Sequence, residues 1–186
     1  MISSKEKIGL KLIGRNKGDL RVISAYLQDS IVSVKNIAFL KKNRIFIMIL
    51  NRFMWEDLEK GVFRQNKRIK CALRFEEVLK AKSQKINQKN KNKILECLAI
   101  KCIDTLDSSY KISIYFSGGG AITLISENID VTLDDFGESW NVKHLPVHKI
   151  WILNYIKILN KTCKKKGAVL AKQDFLEFKG KVTELL

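Results

Sequence analysis

Histidine, proline, arginine and long apolar runs are all scarce in this chain, and each shortage excludes something. Only two histidines occur, His144 and His148, which leaves little from which to build a base beside a nucleophile. Their i, i+4 spacing suits a metal on a helix, but Pro146, the sole proline, lies between them and argues against that helix. They read as part of a surface linker. The cysteines, Cys71, Cys97, Cys102 and Cys163, include no Cys-x-x-Cys pair. Cys97 and Cys102 fall in one expected strand at a spacing that turns them to opposite sides, so small buried hydrophobes are the default rather than zinc ligands. No stretch approaches the ~20 apolar residues that span a bilayer. The longest, Ile45 to Leu50, has the length of a strand. The opening Met-Ile-Ser-Ser-Lys-Glu-Lys lacks the apolar run of a secretory signal. These absences predict a cytoplasmic protein with reduced thiols and no transmembrane segment.

A phosphate loop is missing too, although Phe116-Ser117-Gly118-Gly119-Gly120-Ala121 imitates one. Such a loop delivers its backbone N–H groups to the start of a helix. Here Ile122, Leu124 and Ser126 follow in alternation, and no Gly-Lys-Ser/Thr follows. The segment is expected to be a strand, a glycine turn and a second strand, with no cofactor. The acids Glu127, Asp130, Asp134 and Asp135 lack the regular ligand spacing of a calcium loop and read as a solvated acidic face, so no metal site is expected.

What the chain has in abundance is lysine. Of 35 basic residues, 28 are Lys and 7 Arg, against 19 acids, for a net charge of +16. With 23 Ile and 12 Asn, these lysines make up about a third of the 186 residues, a bias that an AT-rich genome writes wherever a site tolerates it. Dedicated nucleic-acid readers lean on the planar fork of Arg. The charge therefore predicts solubility and loose attraction to polyanions rather than a specific site. It is also segregated: residues 35–93 hold 17 basic and 5 acidic side chains, and residues 104–138 hold 1 and 7.

Hydrophobic periodicity predicts strands at Ile8–Ile13, Ile31–Leu40, Arg44–Phe53, around Cys71–Phe75, at Ile94–Ile103, Tyr110–Phe116 and Ala121–Ser126, with apolar alternation continuing past Ile129. An amphipathic helix follows the cap Asn16 and runs to about Asp29. A bulge is expected at Glu76-Glu77, and Ser83–Lys93 reads as a polar loop. The fold class is α+β: six or seven mostly antiparallel strands, curled into a barrel or split sheet, with one helix near the N-terminus. A pleckstrin-homology-like or flavin-type split barrel is the nearest analogue in architecture alone. Residues 1–142 form that domain. Residues 148–186 form a basic tail, with Trp151, Ile152, Tyr155, Ile156 and Leu159 on one helical face.

From Leu10 to Gly137 the sequence resembles an uncharacterised, largely alphaproteobacterial family, domain of unknown function 2948. The resemblance rests on Leu10-Lys11-Leu12-Ile13, Asp19 to Asp29, Ile37-Ala38-Phe39-Leu40, Leu50 to Glu56, Leu73-Arg74-Phe75-Glu76 and the Phe116 to Leu124 hairpin. It implies a chain that ends near Pro146, which sets the lysine-rich tail apart. It implies no activity and assigns no catalytic, cofactor-binding or metal-ligating residue.

Two surfaces remain as candidates. Asn51, Arg52, Trp55 and Glu56 mix polar and aromatic groups at a strand end and could form a binding rim. The plainer alternative packs Phe53 and Trp55 and leaves Arg52 in solvent. Lys41, Lys42, Arg44, Lys67, Arg68, Lys161, Lys164 and Lys165 are candidate contacts to a polyanion. The expected function is a small cytosolic binding or adaptor module without catalysis, for an unknown protein partner. Weak, non-specific RNA or anionic-surface binding is the alternative, and an enzyme with an unrecognised pocket the next.

Overall fold

The computed structural model describes residues 9–55 and 66–143. Its strands are β1 (Lys11–Gly14), β2 (Ile31–Ser33), β3 (Ile37–Leu40), β4 (Ile45–Phe53), β5 (Lys67–Phe75), β6 (Val78–Gln84), β7 (Ile94–Asp104), β8 (Tyr110–Phe116), β9 (Ala121–Ser126) and β10 (Val131–Asn141). Among the described residues one α-helix, α1 (Lys17–Leu27), lies between β1 and β2. Asn16 caps it, its side chain accepting a hydrogen bond of 2.9 Å from the Asp19 N–H. Leu20, Ile23, Tyr26 and Leu27 are its buried stripe.

The sheet is open, curled and antiparallel, in the order β1-β10-β5-β4-β2-β7-β8-β9-β6, with β3 also paired to β4. Short β2 joins two halves. On one side it pairs with β4 only through Ile31 and Asn51; on the other, Ile31, Val32 and Ser33 pair with Glu96, Leu95 and Ile94 of β7. The first half is β1, β10, β5, β4 and β3; the second is β7, β8, β9 and β6. A single hydrophobic cluster fills the curl, from Phe46, Met48 and Leu73 in the first half to Ile112, Ile114 and Leu124 in the second.

The chain passes between halves at Glu76-Glu77, where the sequence predicts a bulge. Glu77 takes a left-handed conformation, φ 56°. β5 stops there after pairing with β4 and β10, and β6 begins a new partnership with β9. The buried Ser126 hydroxyl sits 2.7 to 3.1 Å from the carbonyls of Glu76, Glu77 and Asn128 and fixes the crossing. Among the described residues ten strands replace the expected six or seven: the apolar alternation past Ile129 is a full strand, β10, and two local features add the rest. A tight turn at Val34–Asn36 splits the Ile31–Leu40 run into β2 and β3, and β6 extends to Gln84, into the expected loop.

The glycine segment is the expected hairpin. Ser117–Gly119 makes one tight turn, Gly118 and Gly119 have φ of 72° and 75°, and the Phe116 N–H donates to the Gly120 carbonyl at 2.8 Å. The expectation for Cys97 and Cys102 fails. The β7–β8 register slips between Cys97 and Ala99, so Cys97 pairs with Phe116 and Cys102 with Ile112, and both turn towards the core. One extra residue resets the parity of the strand. The tail at 148–186, with Cys163, and both histidines lie outside the described residues, as does Glu56.

Candidate functional site

Asn51 to Trp55 ends β4 beside the first half's core. Phe53 and Trp55 pack on each other, ring centroids 4.6 Å apart, and both are buried. Arg52 is not in solvent. Its side chain is 0% exposed and Asp135, on β10, is 1% exposed. Arg52 Nε donates to Asp135 Oδ1 at 2.7 Å and Nη2 to Oδ2 at 2.6 Å, a two-pronged pair spanning β5. Nη1 donates to the Phe53 carbonyl at 3.2 Å, and the guanidinium lies 5.8 Å from the Tyr26 ring centre. Asp135 also accepts from the Leu10 N–H at 2.9 Å. Arg52 is a strut tying β4 to β10 across β5, and Asp135 belongs to that strut rather than to a solvated acidic face.

Next to it lies a second polar junction, at the turn leaving α1. The Trp55 indole donates to the Gln28 carbonyl at 3.2 Å. Arg68 Nη1 donates to the carbonyls of Asp29 and Asn51 at 2.9 and 3.0 Å. Burial pulls the Arg68 pKa down, opposed by Asp29 and Glu96. Arg68 is therefore engaged with the chain's own backbone. Arg44 is engaged as well: Nη2 lies 2.8 Å from Glu77 and 2.5 Å from Glu127. Lys41 and Lys42 are exposed at the β3–β4 turn, and Lys67 is half-buried at the start of β5. The structure does not gather these five residues into one surface. Lys161, Lys164 and Lys165 lie outside the described residues.

A different set of lysines is gathered. In β8, Ile112, Ile114 and Phe116 face the core, so Lys111, Ser113 and Tyr115 face outward. In β9, Ile122 and Leu124 point in, and Ala121, Thr123 and Ile125 point out. The register aligns Lys80 with Ile125 and Lys111, and Lys82 with Thr123 and Ser113, while β7 adds Lys101 opposite Ser113 and Ile103 opposite Lys111. The result is an outer sheet face bearing Lys80, Lys82, Lys101 and Lys111, with no acid in those rows. Its short β9 side chains leave an open groove of about 440 Å3, lined by Lys80, Lys82, Ser83, Gln84, Lys111, Thr123 and Ile125. A smaller depression of about 270 Å3 is bordered by Arg15 and Asp130, which pair with each other at 3.0 Å. Only the β8 part of this face is visible in the sequence, where Lys111-x-Ser113-x-Tyr115 alternates against Ile112-x-Ile114-x-Phe116. Lys80 and Lys82 sit on β6, which the break at Glu76-Glu77 separates from β5 and which runs on into the expected loop.

Among the described residues, no three His, Cys, Asp or Glu side chains gather as metal ligands, and no helix is long and apolar enough to cross a membrane. Neither a curated protein nor a solved structure matches the chain. The model of one protein family, described as a protein of unknown function (DUF2948), matches residues 10–148, past the Gly137 at which the likeness visible in the sequence stops. The match covers every strand and the helix just described, and the chain belongs to the DUF2948 family.

Proposed function

We propose that the protein is a small binding module, without a catalytic step of its own, that holds an anionic partner on the outer face of β6, β9, β8 and β7. The observation that supports this reading is the register that aligns Lys80 and Lys111 across Ile125 and sets Lys82 and Lys101 in the next row. Four like charges on one face attract an anionic ligand over a distance and repel one another without it. The face is open, as suits a partner larger than a metabolite, whereas small-ligand sites are concave and mostly apolar.

The test compares two charge-matched triple variants. One carries Lys80→Glu, Lys82→Glu and Lys111→Glu; the other carries Lys41→Glu, Lys42→Glu and Lys67→Glu. Binding to inorganic polyphosphate at low salt should be largely lost in the first and mostly kept in the second. Equal losses in both would assign the binding to net charge and defeat the proposal.

A further inference from the structure

We infer, on the basis of that reading, that the anionic partner is a single-stranded nucleic acid. The lysines alone do not choose among polyanions; Tyr115 does. It lies on the same outer face and is 40% exposed. Its cross-strand neighbours are Ala121 on β9 and Ala99 on β7, so no large side chain flanks the ring in its own row. A base can stack on a ring placed in this way, which an acidic protein segment has no use for and a closed duplex cannot offer without unstacking. Two rows away, Ile103 is 56% exposed beside Lys111 and extends the apolar floor.

The spacing suits a strand of phosphates with bases turned to the sheet. Lys80 and Lys82 are two residues apart on one edge, about 7 Å, and Lys80 and Lys111 are two strands apart, about 10 Å. Gln84 and Thr123 line the groove between them and supply amide and hydroxyl groups for sugars and base edges. At the Tyr115 end, the Lys85 side chain reaches over the glycine turn, to within 3.7 Å of where a Gly119 Cβ would stand. The scarcity of arginine also fits: this face has charge for phosphates and a ring for stacking but no bidentate fork for reading bases, so binding should be sequence-tolerant.

Fluorescence anisotropy of the full chain with a labelled oligouridylate, a duplex RNA of equal length and polyglutamate tests the inference, with unlabelled polyphosphate as competitor. The single strand should bind more tightly than duplex or polyglutamate. Tyr115→Ala should weaken oligouridylate roughly tenfold, while Tyr115→Phe keeps affinity and polyphosphate binding does not change. Lys82→Ala should instead lower the slope of log affinity against log salt by about 0.7. A Tyr115→Ala variant that binds oligouridylate normally would overturn the inference, as would equally tight binding of duplex or polyglutamate. Either result leaves the anionic-face reading standing if the polyphosphate experiment holds. Failure of that experiment removes the face itself.

Discussion

The two halves of the sheet handle charge in opposite ways. The first buries an ion pair, Arg52 with Asp135, between β4 and β10. The second fills its interior with Ile112, Ile114, Phe116, Ile122 and Leu124 and keeps its lysines outside. The difference follows from how the strands are connected. β7, β8 and β9 are joined by short turns, and a turn fixes register. β10 instead slots between β1 and β5, pairing Asp134 with Lys11 and Asp135 with Cys71, with no turn to align it to either. A slip of one residue would carry Asp135 to the outer face and leave Arg52 buried without its partner. Desolvating the two ions costs several kcal/mol each, offset by a two-pronged geometry and by the Leu10 N–H, and the return is one allowed alignment.

The strongest way to break this contrast is to remove one member of the pair. Arg52→Met or Asp135→Asn should each cost about 3–5 kcal/mol in chemical denaturation, because a buried group loses its partner. The double change Arg52→Met with Asp135→Leu should recover most of that loss. Single variants that lose under about 1 kcal/mol would show that the pair does not organise the first half.

Alkali tests both halves at once, since each contains one buried thiol. Burial pushes Cys71 on β5 and Cys97 on β7 up to about 12. A folded pKa above the unfolded value gives stability that is complete below pH ~9 and falls as pH rises towards 12, because the unfolded thiols release their protons first. By pH 11 each thiol should have cost about 2–3 kcal/mol. Cys71→Ala and Cys97→Ala should each flatten the alkaline decline by a similar amount, whatever they do to stability at pH 7. A decline unchanged in both variants would mean that neither site is as dry as its burial suggests.

The smallest effect should come from the second half's exterior. Lys80→Ala with Lys82→Ala should shift stability by no more than about 0.5 kcal/mol, measured by thermal melting. A larger loss would mean that these lysines hold the fold, and the separation between buried and displayed charge would fail.

Much of this arrangement is legible from alternation alone. The α1 cap, the Lys41–Asn43 turn, the β8–β9 hairpin and the apolar β4 can be read from neighbouring residues. Three things cannot. The slip between Cys97 and Ala99 leaves no local mark, yet it reverses the facing of everything after it in β7, Lys101 included. Arg52 looks like a solvent residue because its partner lies 83 positions away. The lysine face draws on four strands, and only their register shows that Lys80, Lys101 and Lys111 are neighbours while Arg44 and Arg68 are already engaged.

The insertion of β10 between β1 and β5 also orders the events of synthesis. The hairpins of the second half can close as soon as β9 leaves the ribosome. The first half must wait for β10, the last of the described strands. At ~5–20 residues per second, Arg52 exists for roughly 4–17 s before Asp135 has been made. Once β5 is made, it exposes the edge that β10 will occupy for the remainder of that interval, while Leu10 waits for its place beside Asp135.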